Sequence, residues 1–203
     1  MAFAYLRLTG EFTRPAYSVY AYRIVHKGNI YTYIGKTGDA AYISARSPIR
    51  RISGHFNFGS ASTENQFIRS VAEKILGKNW VADYATPRPE IGEDRDAWEL
   101  QRALFRHDVM REISALQAVE WASIIVGDLE RSAIEQQEHG PISNVNRSVE
   151  VQLIQRAASD SRLIVLNSNL AGRPDPVEQD YQVKADALYQ WILDGGDFAL
   201  STP

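Results

Sequence analysis

Cysteine is absent from this 203-residue chain, which excludes a disulfide framework, a thiolate zinc site and a cysteine nucleophile. Histidine is scarce, with four residues, and no His cluster, Gly-rich phosphate loop or Ser elbow is found. A metabolic enzyme built on any of those devices therefore has little support. No apolar run approaches membrane-spanning length. The N-terminal Met-Ala-Phe-Ala-Tyr-Leu-Arg lacks the layout of a signal peptide. No membrane partner is expected, and the cytoplasm is the expected location. Internal repeats and low-complexity tracts are also missing.

What is present is an ordinary globular composition, 44% hydrophobic and 23% charged. The length suits one good-sized domain, or a catalytic domain with a small appendage. Net charge is −3, but it is unevenly spread. Residues 1–80 carry 11 Lys+Arg against 4 Asp+Glu, whereas residues 81–203 carry 11 against 21. A basic N-terminal portion is the electrostatic footprint expected for a polyanion, because Lys and Arg that neutralise phosphates release counterions. Pairing between two halves of one fold is the alternative.

Residues 18–56 organise the chain. Ser18-Val-Tyr-Ala-Tyr-Arg-Ile24 and Ile30-Tyr-Thr-Tyr-Ile-Gly-Lys36 are alternating aromatic and β-branched runs around His26-Lys27-Gly28-Asn29, the signal for a β-hairpin. A two-residue loop projects Tyr20, Tyr22, Tyr31 and Tyr33 from one side of the sheet. Ser47-Pro48 then opens a helix, with Ser as N-cap and Pro at the first helical position. Ile49, Ile52 and Phe56 form its apolar stripe, and Arg51 and His55 sit together on its flank.

Tyr33-Ile34-Gly35-Lys36, following Tyr20-Ala21-Tyr22, resembles the paired motif that names the GIY-YIG endonucleases. Tyr22 is the preferred equivalent of the first-motif tyrosine, whose Gly and Ile are missing here; Ser18-Val19-Tyr20 offers a second register. Arg51-Ile52-Ser53-Gly54-His55-Phe56 is similar to the family's Arg-x-x-x-His helix, with Arg46 and Arg50 as competitors for the arginine role. Val119–Val126 reads as a buried strand that turns at Gly127-Asp128 into a helix starting Leu129-Glu130. With its Leu-Glu-x-x-x-Ile pattern it resembles the family's third strand and acidic helix, which puts Glu130 at the metal position. Gly140–Asn146 resembles the Pro-x-x-Asn loop and nominates Asn144.

Between these motifs, Thr63-x-x-Gln66 is a capping box opening a helix with Phe67, Val71 and Ile75 on one face. Trp80 is expected near its end. Residues 85–96 read as a polar connector. A longer helix at about 96–116 carries a Phe105, Val109, Ile113, Leu116 stripe, with His107 structural or solvated. Beyond Asn146, residues 148–158 read as a helix and Leu163–Leu166 as a short strand. A final helix at about 177–194, with Tyr181, Leu188 and Ile192, completes the core or serves dimerisation.

The resemblance implies an α+β fold, a small three-stranded antiparallel sheet flanked by helices. Its domain would span 1–147, with inserted helices at about 57–117, and 148–203 would be a C-terminal helical extension packed on it. It also implies hydrolysis of DNA phosphodiesters with one divalent cation, magnesium being the usual one, held by Glu130. Arg51 would neutralise phosphate charge. Tyr22 is the candidate base, with Tyr33 orienting water or phosphate and Lys36 adding positive charge. A swap of Tyr22 and Tyr33 fits equally well, and Tyr20 remains in contention. His55 would bond a tyrosine or phosphate, Asn144 would fix the loop or metal helix, and Lys36, Arg46 and Arg50 would contact DNA.

A stand-alone, restriction-like, sequence-specific endonuclease is the expected function. A palindromic site would favour a homodimer. A repair or mobile-element nuclease and a silent DNA-binding module are the alternatives.

Overall fold

The computed structural model describes residues 10–37, 47–56, 66–77, 93–116, 118–135, 140–167 and 172–196. A short helix α1 (Gly10–Thr13) precedes the hairpin, β1 (Ala16–His26) and β2 (Asn29–Lys36). The hairpin turns on Lys27 and Gly28, both at positive φ, 50° and 78°. Two-residue hairpin turns of this hand require positive φ at both positions. The antiparallel register sets Tyr22 opposite Tyr33 and Tyr20 opposite Gly35.

Strand β3 (Ala118–Asp128) pairs antiparallel with the other edge of β1, with an irregularity at Tyr17/Ser18. These three strands are the antiparallel sheet expected from the sequence. A fourth, β4 (Leu163–Val165), joins β2 in parallel, so the sheet is mixed and ordered β3-β1-β2-β4. The expectation of three strands is corrected in this respect. Three residues carry too little alternation to reveal a pairing partner, and this edge is completed by a side chain. Asn167 Nδ2 donates to Ile34 O (2.6 Å) and its Oδ1 accepts from Ile34 N (2.9 Å), continuing the ladder where β4 ends.

Strand alternation gives the sheet two buried faces. One carries Val19, Ala21, Ile34, Ala122, Ile124 and Val126. It lies against α6 (Gly140–Ser159), through Val149, Leu153 and Ala157, and α7 (Gln179–Asp194), through Leu188 and Ile192. The second face carries Tyr20, Tyr22, Ile24, Tyr31 and Tyr33. Above it lie α2 (Pro48–Phe56), α3 (Gln66–Lys74) and α4 (Glu93–Ser114). Phe67, Ile68, Val71, Phe105, Val109 and Ile113 fill that side.

Pro48 opens α2 as expected. The helix expected at about 96–116 begins three residues earlier, and the helix after β3, α5, covers Arg131–Glu135 among the described residues. Gly140–Asn146, expected as a loop, is instead the first part of α6, where Pro141 sits in a turn that does not need its N–H. The expected boundary at 147/148 falls inside this helix. Arg46, Thr63, Trp80 and the polar connector up to residue 92 lie outside the described residues. Among the described residues no helix is long and apolar enough to cross a membrane.

Candidate active site

The second sheet face converges on Tyr20. Its cross-strand neighbour is Gly35, and a Cβ at that position would lie 2.5 Å from Tyr20 Cζ. Gly35 does not have positive φ; the glycine is needed for space, so that the phenol can lie flat across β2. Helix α2 then sets Arg51 and His55 one turn apart above the ring. Arg51 Nε donates to Tyr20 Oη at 3.1 Å, and Tyr20 Oη pairs with His55 Nε2 at 2.6 Å.

Arg51 can only donate. The complementary arrangement has Tyr20 accept from Arg51 and pass its own O–H to His55 Nε2, with the imidazole proton on Nδ1. His55 is buried, and its ring lies edge-on to Tyr20, Tyr22 and Tyr33 at 5.5, 5.4 and 5.4 Å between centroids. Phe67 stacks on Tyr22 at 4.1 Å and meets Tyr33 edge-on at 5.5 Å.

The three phenols differ in their partners. Tyr33 Oη donates to Gln66 Oε1 (3.3 Å). Tyr22 Oη is buried and has no hydrogen-bond partner among the described residues. Burial pushes Tyr20 and Tyr22 far above the usual phenol range, with Arg51 acting in the opposite direction on both. Burial likewise pushes Tyr33 up to about 12, again opposed by Arg51. All three are neutral phenols near pH 7.

Among the described residues, the carboxylate whose charge reaches this cluster is Glu150, on α6. Half-buried, it is raised from the ordinary carboxylate range by desolvation, against the pull of Lys36, Arg51 and Arg147. Its charge is felt in turn by Tyr20, Tyr33 and Arg51. The position carries a signal in the sequence. Val149-Glu150-x-x-x-Ile154 repeats the apolar-Glu-x-x-x-Ile spacing of Leu129-Glu130-x-x-x-Ile134.

The structure does not bring Glu130 to the phenols. It is exposed and follows the end of β3 that pairs with Ala16, whereas Tyr20 pairs with Ser123. Tyr20 lies four residues along β1 from Ala16, a span of about 13 Å along the ladder. Asn144 is exposed on α6. Its neighbour Asn146 is the buried one and donates from Nδ2 to Thr37 O (2.8 Å). Thr37 in turn donates from Oγ1 to Ala16 O (2.7 Å), anchoring the chain just past β2. Lys36, at the end of β2, faces Glu150 electrostatically, and Arg50 is exposed on α2. His107 is exposed on α4, beside Asp108.

Among the described residues no group of three or more His, Asp and Glu could hold a metal ion. A hard divalent cation needs fewer protein ligands, because it keeps several waters and takes phosphate oxygens. Glu150 fits that donor set: one carboxylate, incompletely compensated by its neighbours, beside groups suited to an anion. No protein-family model, no curated protein and no solved structure matches the chain.

Proposed function

We propose that the protein is a divalent-metal-dependent, sequence-specific DNA endonuclease of the GIY-YIG type. The observation that carries this reading is the Tyr20 hydroxyl held between Arg51 and His55, within electrostatic reach of the Glu150 carboxylate. Tyr20, in the second register, takes the base position ahead of Tyr22. A buried phenol is a poor base if it must first ionise. Tyr20 avoids that step by accepting a proton from the attacking water while releasing its own to His55 Nε2. The guanidinium of Arg51 stays charged throughout and neutralises charge gathering on non-bridging phosphate oxygens. Lys36 and Arg147 add to the positive field that attracts the backbone. Glu150 would hold the cation, which when bound supplies Lewis-acid charge to the phosphate and leaving oxygen.

The burial of Tyr20 and Tyr22, at 0% and 1% exposure, favours a second reading, a nuclease-derived module that binds DNA without cutting it. One experiment separates the two. Plasmid and phage DNAs are incubated with the protein, with magnesium or chelator, beside Glu150→Gln, Glu130→Ala and Tyr20→Phe. The nuclease reading expects magnesium-dependent fragments, retained by Glu130→Ala. Tyr20→Phe should reduce them by about 100-fold or more, the usual range for losing acid–base assistance, and Glu150→Gln should reduce them by weakening the hold on the cation. Shifted but uncut DNA would establish the binding module. Undiminished cutting by Glu150→Gln would place the site elsewhere.

A further inference from the structure

The buried polar belt just beyond the end of β2 has one acceptor left over. Ser18, Thr37 and Asn146 are 0%, 1% and 1% exposed. Thr37 Oγ1 gives its proton to Ala16 O (2.7 Å) and accepts from Ser18 N (2.9 Å). Its contact with Ser18 Oγ (3.1 Å) therefore has the serine as donor. Both hydroxyl protons are committed, and neither is free to turn to Asn146. Asn146 Nδ2 donates to Thr37 O (2.8 Å). That bond fixes the amide's orientation, because the flipped form would set two carbonyl oxygens against each other. Asn146 Oδ1 is left buried, with no hydrogen-bond partner among the described residues.

A buried carbonyl oxygen without a donor has lost its hydration and gained nothing in return. Such a group calls for an explanation in strain, in chemistry, or in a water or ion that satisfies it. Its place on α6 decides among these. Asn146 and Glu150 are four residues apart on one helix, so their Cβ atoms lie about 5–6 Å apart on the same face. The same i, i+4 spacing lets the two histidines of an H-E-x-x-H helix share one zinc ion. The surroundings agree with the helix geometry. Asn146 bonds to Thr37, and Glu150 is within electrostatic reach of the preceding residue, Lys36. Both side chains therefore serve the C-terminal end of β2, while the intervening Arg147 is exposed. An amide oxygen beside a carboxylate is a donor pair that hard divalent cations accept.

We infer that Asn146 Oδ1 is a second protein oxygen for the divalent cation, alongside Glu150. The inference rests on the reading of Glu150 as the cation's carboxylate. It gives the two ends of one amide separate tasks, Nδ2 anchoring Thr37 and Oδ1 binding the ion. Mn2+ is titrated into the full chain without DNA, with free Mn2+ followed by electron paramagnetic resonance, for the parent, Asn146→Ala, Asn146→Asp and Glu150→Gln. Both Asn146 variants lose the bond to Thr37 O, but aspartate keeps an oxygen and adds charge. Asn146→Ala should weaken Mn2+ binding about tenfold or more, and Asn146→Asp should bind at least as tightly as the parent.

An anchoring role alone expects the two variants to change together. The rise in unfolding midpoint on adding Mn2+, taken against each variant's own cation-free midpoint, should give the same ranking even where a variant is less stable. Unchanged affinity in Asn146→Ala, or equal losses in Asn146→Ala and Asn146→Asp, overturns the inference and leaves Oδ1 to a buried water. A parent that takes up no Mn2+ overturns it as well. Unchanged affinity in Glu150→Gln removes the reading on which it rests. Plasmid cutting by the same proteins reports on that reading separately. Magnesium-dependent fragments lost in Glu150→Gln, with Asn146→Ala unchanged in Mn2+ affinity, would keep the nuclease and discard the second ligand.

Discussion

Replacing Gly35 with alanine is the smallest change that tests whether Tyr20 is held as described. By local propensity the substitution should help: glycine inside a strand costs about 0.5–1 kcal/mol relative to alanine. The structure reverses the sign. The new methyl would lie 2.5 Å from Tyr20 Cζ and closer still to its oxygen, and Tyr20 has no room to retreat under Arg51 and His55. Overpacking of this kind costs about 1–3 kcal/mol. Displacing the ring also forfeits the bond from the Arg51 guanidinium, and bonds to charged groups contribute about 1.5–3 kcal/mol. The expected loss is therefore about 3–5 kcal/mol, a large part of the ~5–15 kcal/mol typical of a whole domain. Urea unfolding of the parent, Gly35→Ala, Tyr20→Leu and the double variant measures it. Leucine lacks the ring tip, so Gly35→Ala should cost less than about 1 kcal/mol in that background, a strong coupling between the two sites. Equal cost in both backgrounds, or a stabilised single variant, would refute the reasoning.

Three further outcomes are expected. Tyr22→Phe removes a buried hydroxyl that has no partner among the described residues, so stability should hold or rise by up to about 1 kcal/mol; a loss of that size in urea unfolding would show that the hydroxyl is satisfied in solution. Asn167→Ala cuts both bonds to Ile34 and should cost about 1–3 kcal/mol, with faster amide exchange at Ile34 as its local signature. Asp160 accepts from Arg162 Nη2 (2.7 Å) and from the Tyr189 hydroxyl (2.5 Å), which hold its carboxyl far below the usual range. Its contribution to stability is full above its unfolded value near ~4 and fades as pH falls below that. Unfolding midpoints of the parent and Asp160→Asn should therefore differ most near neutrality and converge in acid; a gap that persists at low pH would contradict that linkage.

Much of this architecture is legible in local pattern. Alternation in Val19–Ile24 and Ile30–Lys36 is enough to set the hairpin and the common face of Tyr20, Tyr22 and Tyr33. Ser47-Pro48 marks the start of α2, and the spacing of Arg51 to His55 places both on one flank. Edge pairing is less legible. Leu163–Val165 is a strand by composition, but its partner is decided by a side chain, Asn167, that mimics a strand's donor and acceptor. Pro141 also misleads, because proline fits a loop and a first helical turn equally well; here it lies in the helix that carries Asn146 and Glu150.

The two points at which the site departs from its sequence reading share one cause. Tyr20 and Tyr22 lie on the same face of the same strand, so alternation cannot choose between them; the choice is made by where α2 lands. Arg51 and His55 arrive over Tyr20, and Tyr22 is left beneath Phe67 with a hydroxyl that bonds to none of the described residues. Glu130 and Glu150 are equally alike in local pattern, each followed by isoleucine one helical turn later. What separates them is that α6 packs its Val149, Leu153 and Ala157 side against the opposite sheet face. Glu150, beside Val149, thereby comes within electrostatic reach of Lys36 and Arg51. Local pattern supplies candidate groups, and helix docking selects among them. For that reason Glu150→Gln set against Glu130→Ala discriminates between the structural and the sequence placement more sharply than any substitution at the tyrosines.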